Sequence, residues 1–159
     1  MDTKTINKII EINREFYQTF AQPFAATRMR LQPGVKRILQ MVQSDQTILD
    51  LGCGNGELAR VLFTQGFEGK YLGADFSEDL LKVASHAYSY QNFAKSKQHA
   101  EILLEGNQNQ GIFIQADLTG EDWNTIIPTL PFDLVFCFAV LHHIRSEEHT
   151  SELQSRQSI

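Results

Sequence analysis

Four short apolar runs alternate along this chain with stretches of helical periodicity. The runs are Ile48–Leu51, Lys70–Asp75, Gly111–Gln115 and Phe132–Ala139. Each has strand length and is followed by glycine, aspartate or another turn residue. Between them lie a helix-forming stretch after Gly56, a long one from Glu78 to Leu104, and a short one, Gly120–Pro128, whose Trp123 packs on the sheet. In the long helix Leu80, Leu81, Val83, Ala84 and Ala87 form the buried face, and the polar run Gln91–Gln98 faces solvent. Residues 106–110, GNQNQ, are a loop. Ahead of the first strand, Ile6, Ile9, Ile10, Ile12, Phe16, Tyr17 and Phe20 recur at helical spacing up to Pro23. Leu31-Gln32-Pro33-Gly34 then introduces a second helix, Val35–Val42. Strands separated by helices predict an α/β domain with a parallel sheet and helices on both faces. No repeat or second domain is visible.

The first strand leads into the most specific chemistry of the chain, Ile48–Ala59, ILDLGCGNGELA. Glycines at 52, 54 and 56 break the apolar run just before a helix begins. Glycine serves where the backbone takes positive φ or lets a ligand come close. The free N–H groups of a helix start suit a carboxylate or phosphate. The spacing G-x-G-x-G is one residue shorter than the dinucleotide fingerprint G-x-G-x-x-G, which disfavours an NAD-dependent dehydrogenase. Asp50, two residues before the first glycine, is a poor neighbour for a pyrophosphate and suits the ammonium of an amino acid. The second strand ends in Asp75, 19 residues past Gly56. An acid at that point of a doubly wound sheet accepts from ribose hydroxyls. The competing reading makes Asp75 a turn or capping residue, with Ser77-Glu78-Asp79 as a second possible cap.

The phrase D-L-G-C-G-x-G resembles motif I of the class I S-adenosylmethionine-dependent methyltransferases. Three further signals follow in that family's order: the acid closing the second strand, Ala116-Asp117-Leu118 after the third, and F-D-L-V-F-C-F leading into Val140-Leu141-His142-His143-Ile144 after the fourth. Together they cover residues 47–144. The resemblance implies a Rossmann-like sheet with helices on both faces and S-adenosylmethionine as cofactor. It places Asp50, Gly52, Cys53, Gly54, Asn55, Gly56, Asp75, Phe76, Asp117, Leu118 and Phe138 around that cofactor. Phe76 would lie against the adenine, and Asp117 would accept from its exocyclic amine. His142 and His143 follow the fourth strand, where the methyl group would point, and one of them is a weak candidate for a general base. They more readily belong to a structural turn, and two adjacent histidines do not make a metal site. His86 and His99 have no ligand partners in sequence and read as surface residues.

The resemblance divides the chain at residues 45 and 144. Residues 1–45 form a helical cap or lid, with Tyr17, Phe20, Phe24 and Arg28 as candidates to shape the acceptor pocket. The same aromatics could instead be ordinary core. Arg28, Arg30, Lys36 and Arg37 form a small basic cluster that suits either an acceptor's negative group or solvent. Residues 46–144 form the cofactor domain, cut after the fourth of the family's seven strands. Residues 145–155, RSEEHTSELQS, match the conceptual translation of a common short-read sequencing adapter. Residues 145–159 are therefore expected to be a non-native tail, with a polar C-terminal helix as the alternative reading. A sheet cut at that point has an unpaired apolar edge and is expected to be a poor enzyme by itself.

Composition narrows the rest. The net charge of −5 lacks the strongly basic footprint of a nucleic-acid binder, so no DNA partner is expected. Cys53 and Cys137 are isolated, as reduced thiols in a cytoplasmic protein would be. No signal peptide or membrane-spanning run is visible. The expected function is methyl transfer to a small-molecule or RNA acceptor. A faint N-terminal pattern, F-Y-x-x-F…T-R, resembles the tRNA wobble-uridine carboxymethyl methylases. The reading from another class is a non-catalytic binding protein that keeps a methyltransferase-like fold.

Overall fold

The computed structural model describes residues 31–86, 92–106, 111–120 and 122–138, with Thr5, Lys8, Ile9, Glu11, Ile12, Glu15, Phe16, Thr19 and Phe20 nearer the N-terminus. The elements are α1 (Pro33–Leu39), β1 (Thr47–Leu51), α2 (Glu57–Thr64), β2 (Lys70–Asp75), α3 (Glu78–His86), β3 (Phe93–Ala94), α4 (Lys97–Gly106), β4 (Gly111–Gln115), α5 (Trp123–Ile126) and β5 (Leu134–Phe136). The strands form one sheet in the order β3-β4-β2-β1-β5, and every pairing is parallel.

Parallel strands need crossovers, and the helices that make them cover both faces. On one face α1, α2 and α3 contribute Leu39, Leu58, Ala59, Leu62, Leu81 and Ala84 against Ile48, Tyr71, Phe113 and Phe136. On the other, Ala100 and Leu104 of α4 join Ile127 against Leu49, Leu72, Ile112 and Ile114, with Trp123 packed alongside. Burial on both faces explains why β1, β2 and β4 read as near-continuous apolar runs. It also makes their few polar residues conspicuous. The chain places β2 on one side of β1 and β5 on the other. Ligands of such sheets bind at the carboxyl ends of the strands where the order reverses, here the ends of β1 and β5.

Several expectations need correction. The stretch from Glu78 to Leu104 is two helices separated by a short strand, so the described sheet has five strands and not four. The supposedly solvated run contains Asn92 and Ala94, both buried, and Phe93 and Ala94 pair with Phe113 and Ile114 of β4. Ser96 then starts α4, its hydroxyl accepting from the His99 N–H at 3.2 Å. On α3, Val83 is 37% exposed and lies outside the buried face, while Ala87 falls outside the described residues. His86 is exposed, and His99 is half-buried with Nδ1 accepting from the Lys95 N–H.

The phrase that begins Phe132-Asp133 anchors the fifth strand. The Thr47 N–H donates to the Asp133 carboxylate at 2.7 Å, and the Asp133 N–H returns a bond to the Thr47 carbonyl at 2.8 Å. This reciprocal pair sets the register in which Ile48, Leu49 and Asp50 lie opposite Leu134, Val135 and Phe136. At the other end of the chain the described N-terminal residues are mostly helical, as their periodicity predicts. Ile9, Ile12, Phe16 and Phe20 are about half exposed.

Candidate cofactor site

Beyond Leu51 the backbone turns through Gly52, Gly54 and Gly56, at φ of 74°, 55° and 72°. The turn is closed by its own amides. Gly52 and Cys53 both donate to the Ala74 carbonyl, at 2.7 and 3.1 Å, and Gly56 donates to the Cys53 carbonyl at 3.0 Å. The Gly54 N–H donates to Asp75 Oδ2 at 2.9 Å, tying the loop to the end of β2. The glycines serve different ends. A Cβ at Gly56 would stand 2.8 Å from the Ala84 Cβ, so this residue lets α3 approach the start of α2. A Cβ at Gly54 would meet nothing within 4 Å among the described residues. The start of α2 carries no side-chain cap, and Glu57 there is held by Arg60 through bonds of 2.6 and 2.9 Å.

Beneath this loop lie two buried acids. Asp50 is 4% exposed, and its Oδ2 accepts from the Tyr71 hydroxyl at 2.5 Å. Among the described residues no donor reaches its Oδ1. Burial pushes the Asp50 carboxyl up to about 7; the Tyr71 bond opposes that rise and the nearby charge of Asp75 adds to it. Asp75 is also raised by burial, against the pull of the Ser77, Gly54 and Phe76 N–H groups. Its Oδ1 accepts from Ser77 at 2.9 Å and its Oδ2 from Gly54. With Phe76 as the third donor, the carboxylate keeps acceptor capacity for one further donor. The capping of α3 falls to Ser77, whose hydroxyl accepts from the Leu80 N–H, while Asp75 forms the local turn before it.

The rest of the rim comes from β4 and β5. Gln115 stands opposite Asp75 and donates from Nε2 to the Phe76 carbonyl at 2.9 Å. Ala116 donates to the Asp75 carbonyl. Phe76 is half-buried. Asp117 shapes the next turn, its Oδ1 accepting from both the N–H and the hydroxyl of Thr119, and Leu118 is buried. Phe138 stacks on Phe136 with ring centroids 5.4 Å apart. Asn55 is half-buried within the loop.

Cys53 packs its thiol into the core beside Gly73; burial first, then the charges of Asp75 and Asp50, hold it well above the ordinary thiol range. Cys137 is raised by burial and then by Asp50, and both cysteines are free. Of the lid candidates, Phe20 makes a tilted ring contact with Phe16 at 5.2 Å, whereas Tyr17, Phe24 and Arg28 lie outside the described residues. His142, His143 and residues 145–159 do as well. No group of three metal-ligating side chains occurs among the described residues.

A glycine turn closed on itself, two buried acids beneath it and an order reversal beside it describe a site for hydroxyl and ammonium donors. The profile of the methyltransferase domain family matches residues 19–159. The chain belongs to that family. Its sheet is the Rossmann-like fold of the class I S-adenosylmethionine-dependent methyltransferases. Similar proteins include the protein-lysine N-methyltransferase EFM4 of Saccharomyces cerevisiae, 33% identical over 82 residues, which are 52% of this chain and 30% of that one. Among solved structures, magnesium protoporphyrin IX methyltransferase from Synechocystis PCC 6803 with bound S-adenosylmethionine is 20% identical. The match covers 91% of this chain and 68% of that one, with a TM-score of 0.52. YjhP from E. coli is also 20% identical, over 89% of this chain and 50% of that one, with a TM-score of 0.52. The chain spans about a third of the length of the curated relatives it matches.

One participant in this candidate site was not visible in the sequence. Tyr71 reads there as one more apolar strand residue, yet it is the partner of Asp50. The detectable signal was a polar-tipped aromatic two positions before Gly73 on β2. Register sets Gly73 opposite Asp50, so the Tyr71 side chain shares a face with the acid.

Proposed function

We propose that this chain is the cofactor-binding part of an S-adenosylmethionine-dependent methyltransferase. The observation that carries the reading is Asp50 Oδ1, a buried carboxylate oxygen that no donor reaches among the described residues, at the end of β1 just ahead of the glycine turn. An amino-acid ammonium is the donor that suits it, and pairing would hold Asp50 in its charged form. Asp75 keeps acceptor capacity for a ribose hydroxyl. Phe76, held from behind by Gln115, offers a face to the adenine. Asp117 and Leu118 complete the adenine side, and Phe138 flanks the space beyond β5. Gly52, Cys53 and Asn55 shape the loop more than they contact what it holds.

The cofactor's sulfonium supplies the methyl group when bound. The chain's own residues bind, orient and exclude water. Alignment of this kind is worth on the order of 7–11 kcal/mol in favourable cases. His142 or His143 would act only for an acceptor that must lose a proton during attack. To the small-molecule and RNA acceptors expected from sequence, the yeast relative adds a protein lysine as one to assay. The two free cysteines support the cytoplasmic location expected from sequence. No helix among the described residues is long and apolar enough to cross a membrane.

Calorimetric titration of the chain with S-adenosylhomocysteine and, separately, NAD tests the reading. Binding of the first alone is expected. Binding of NAD alone, or of neither, would overturn it. Binding without turnover across metabolite, RNA and protein acceptors by the full-length protein would favour the non-catalytic alternative.

A further inference from the structure

Tyr71 is fully buried near the start of β2, on a face that it shares with Ile48 and Phe113 and, towards the carboxyl ends of the strands, with Asp50, Asp75 and Gln115. Its ring is fixed by edge contact with Phe63 at 6.3 Å and a tilted contact with Phe113 at 6.1 Å. Register sets Tyr71 opposite Ile48, so the ring reaches along the strand to place its hydroxyl on the acid two residues further on. Gly73, directly opposite Asp50, lies against the Cys53 sulfur and the Phe113 ring with no space for a side chain. A Cβ there would already stand 2.8 Å from the Cys53 sulfur and 2.9 Å from the Phe113 ring. A buried tyrosine needs a partner for its hydroxyl, but a neutral acceptor would satisfy it equally. Here it is aimed at one oxygen of a carboxylate whose other oxygen meets no donor among the described residues.

We propose that Tyr71 is the positioning residue of this site, fixing Asp50 through Oδ2 so that Oδ1 serves the amino-acid ammonium of the cofactor. The inference rests on the cofactor reading above and assigns a role to a residue outside the glycine motif. The hydrogen bond does two things at once. It holds the carboxylate in one rotamer, and it favours the charged form that a cation requires. The titratable groups around Asp50 are Tyr71 and Asp75 on β2, Cys53 in the loop and Cys137 after β5, while Glu57 and Arg60 on α2 pair with each other. Both thiols stay protonated at neutral pH, which leaves Tyr71 and Asp75 to set the charge state of Asp50.

The test uses two ligands that share the adenosine part. S-Adenosylhomocysteine carries the amino-acid end, and 5′-methylthioadenosine lacks it. Tyr71→Phe is expected to weaken the first roughly tenfold, as for loss of a bond to a charged group, and the second by less than about twofold. It should also move upward the pH at which S-adenosylhomocysteine affinity rises. In an Asp50→Asn background the same substitution should add little further loss. Equal weakening of both ligands, or an unmoved pH midpoint, would overturn the proposal and leave Tyr71 a packing residue. Should Tyr71→Phe fail to fold, fluorotyrosine labelling of the wild-type chain strengthens the donor without removing it. The midpoint should then fall, and no movement would overturn the proposal equally. Failure of the wild type to bind S-adenosylhomocysteine at all would instead overturn the cofactor reading.

Discussion

Replacing Asp50 with asparagine should reverse its effect on stability between acid and mildly alkaline pH. The carboxyl titrates at about 7 in the folded chain and at 3.8 in an unperturbed one. The folded state therefore holds its proton longer than the unfolded state does. Stability linked to this group is fully present below pH 3.8 and declines as pH rises towards 7. Above 7 the whole difference has been lost, about 4 kcal/mol at 1.36 kcal/mol per unit. The amide of Asp50→Asn would never carry the charge. Its oxygen can still accept from Tyr71, but its N–H2 would replace an oxygen that has no partner among the described residues. A buried donor left without an acceptor costs about 1–3 kcal/mol. The balance at pH 8 is a gain of about 1–3 kcal/mol for Asp50→Asn, and at pH 4 a loss of similar size. Urea unfolding followed by circular dichroism at the two pH values reads both. In the same variant, affinity for S-adenosylhomocysteine should fall by about tenfold or more, because the ammonium loses its counter-charge. A variant destabilised equally at pH 4 and pH 8 would refute the reasoning, since burial would then not be holding the acid neutral.

Asp75→Ala should weaken S-adenosylhomocysteine by about 1–3 kcal/mol through loss of the ribose acceptor; unchanged affinity in calorimetry would remove Asp75 from the site. Gly73→Ala places a Cβ 2.8 Å from the Cys53 sulfur, and overpacking there should lower stability by about 1–3 kcal/mol, read as a fall in urea midpoint at constant slope. Long-read sequencing of the source locus across the codon for Ile144 should show the frame continuing into sequence other than RSEEHTSELQS; finding those residues in frame would refute the adapter reading.

Four of the five strands and the glycine turn were legible because their signals are local. A run such as ILDL followed by three alternating glycines has few other conformations available. The Asp75 position follows from the length of one strand-helix-strand unit. Phe93–Ala94 was not legible, because a two-residue strand has no periodicity and its neighbours Gln91 and Lys95 are polar. Only its pairing with β4, made after both elements exist, shows it. Tyr71 was missed for a related reason. Whether a strand residue meets an acid on its neighbour depends on register, and register between β1 and β2 is set by the crossover through α2 and by the Lys70 N–H donating to the Gln46 carbonyl. His142, His143 and most of the lid candidates lie outside the described residues, so their roles stand as proposed.

A ligand reaching the glycine turn meets a loop that is already wired. The amides of Gly52, Cys53, Gly54 and Gly56 are all satisfied within the protein. The loop therefore holds its shape through bonds to β2 and to itself, and little backbone freedom is left to lose on association. Occupancy should then add little to the protection of these four amides in hydrogen exchange, because they are slow in the free chain already. Arrival of the cofactor becomes a matter of filling a formed cradle, with its entropy cost met earlier, when β1 and β2 paired.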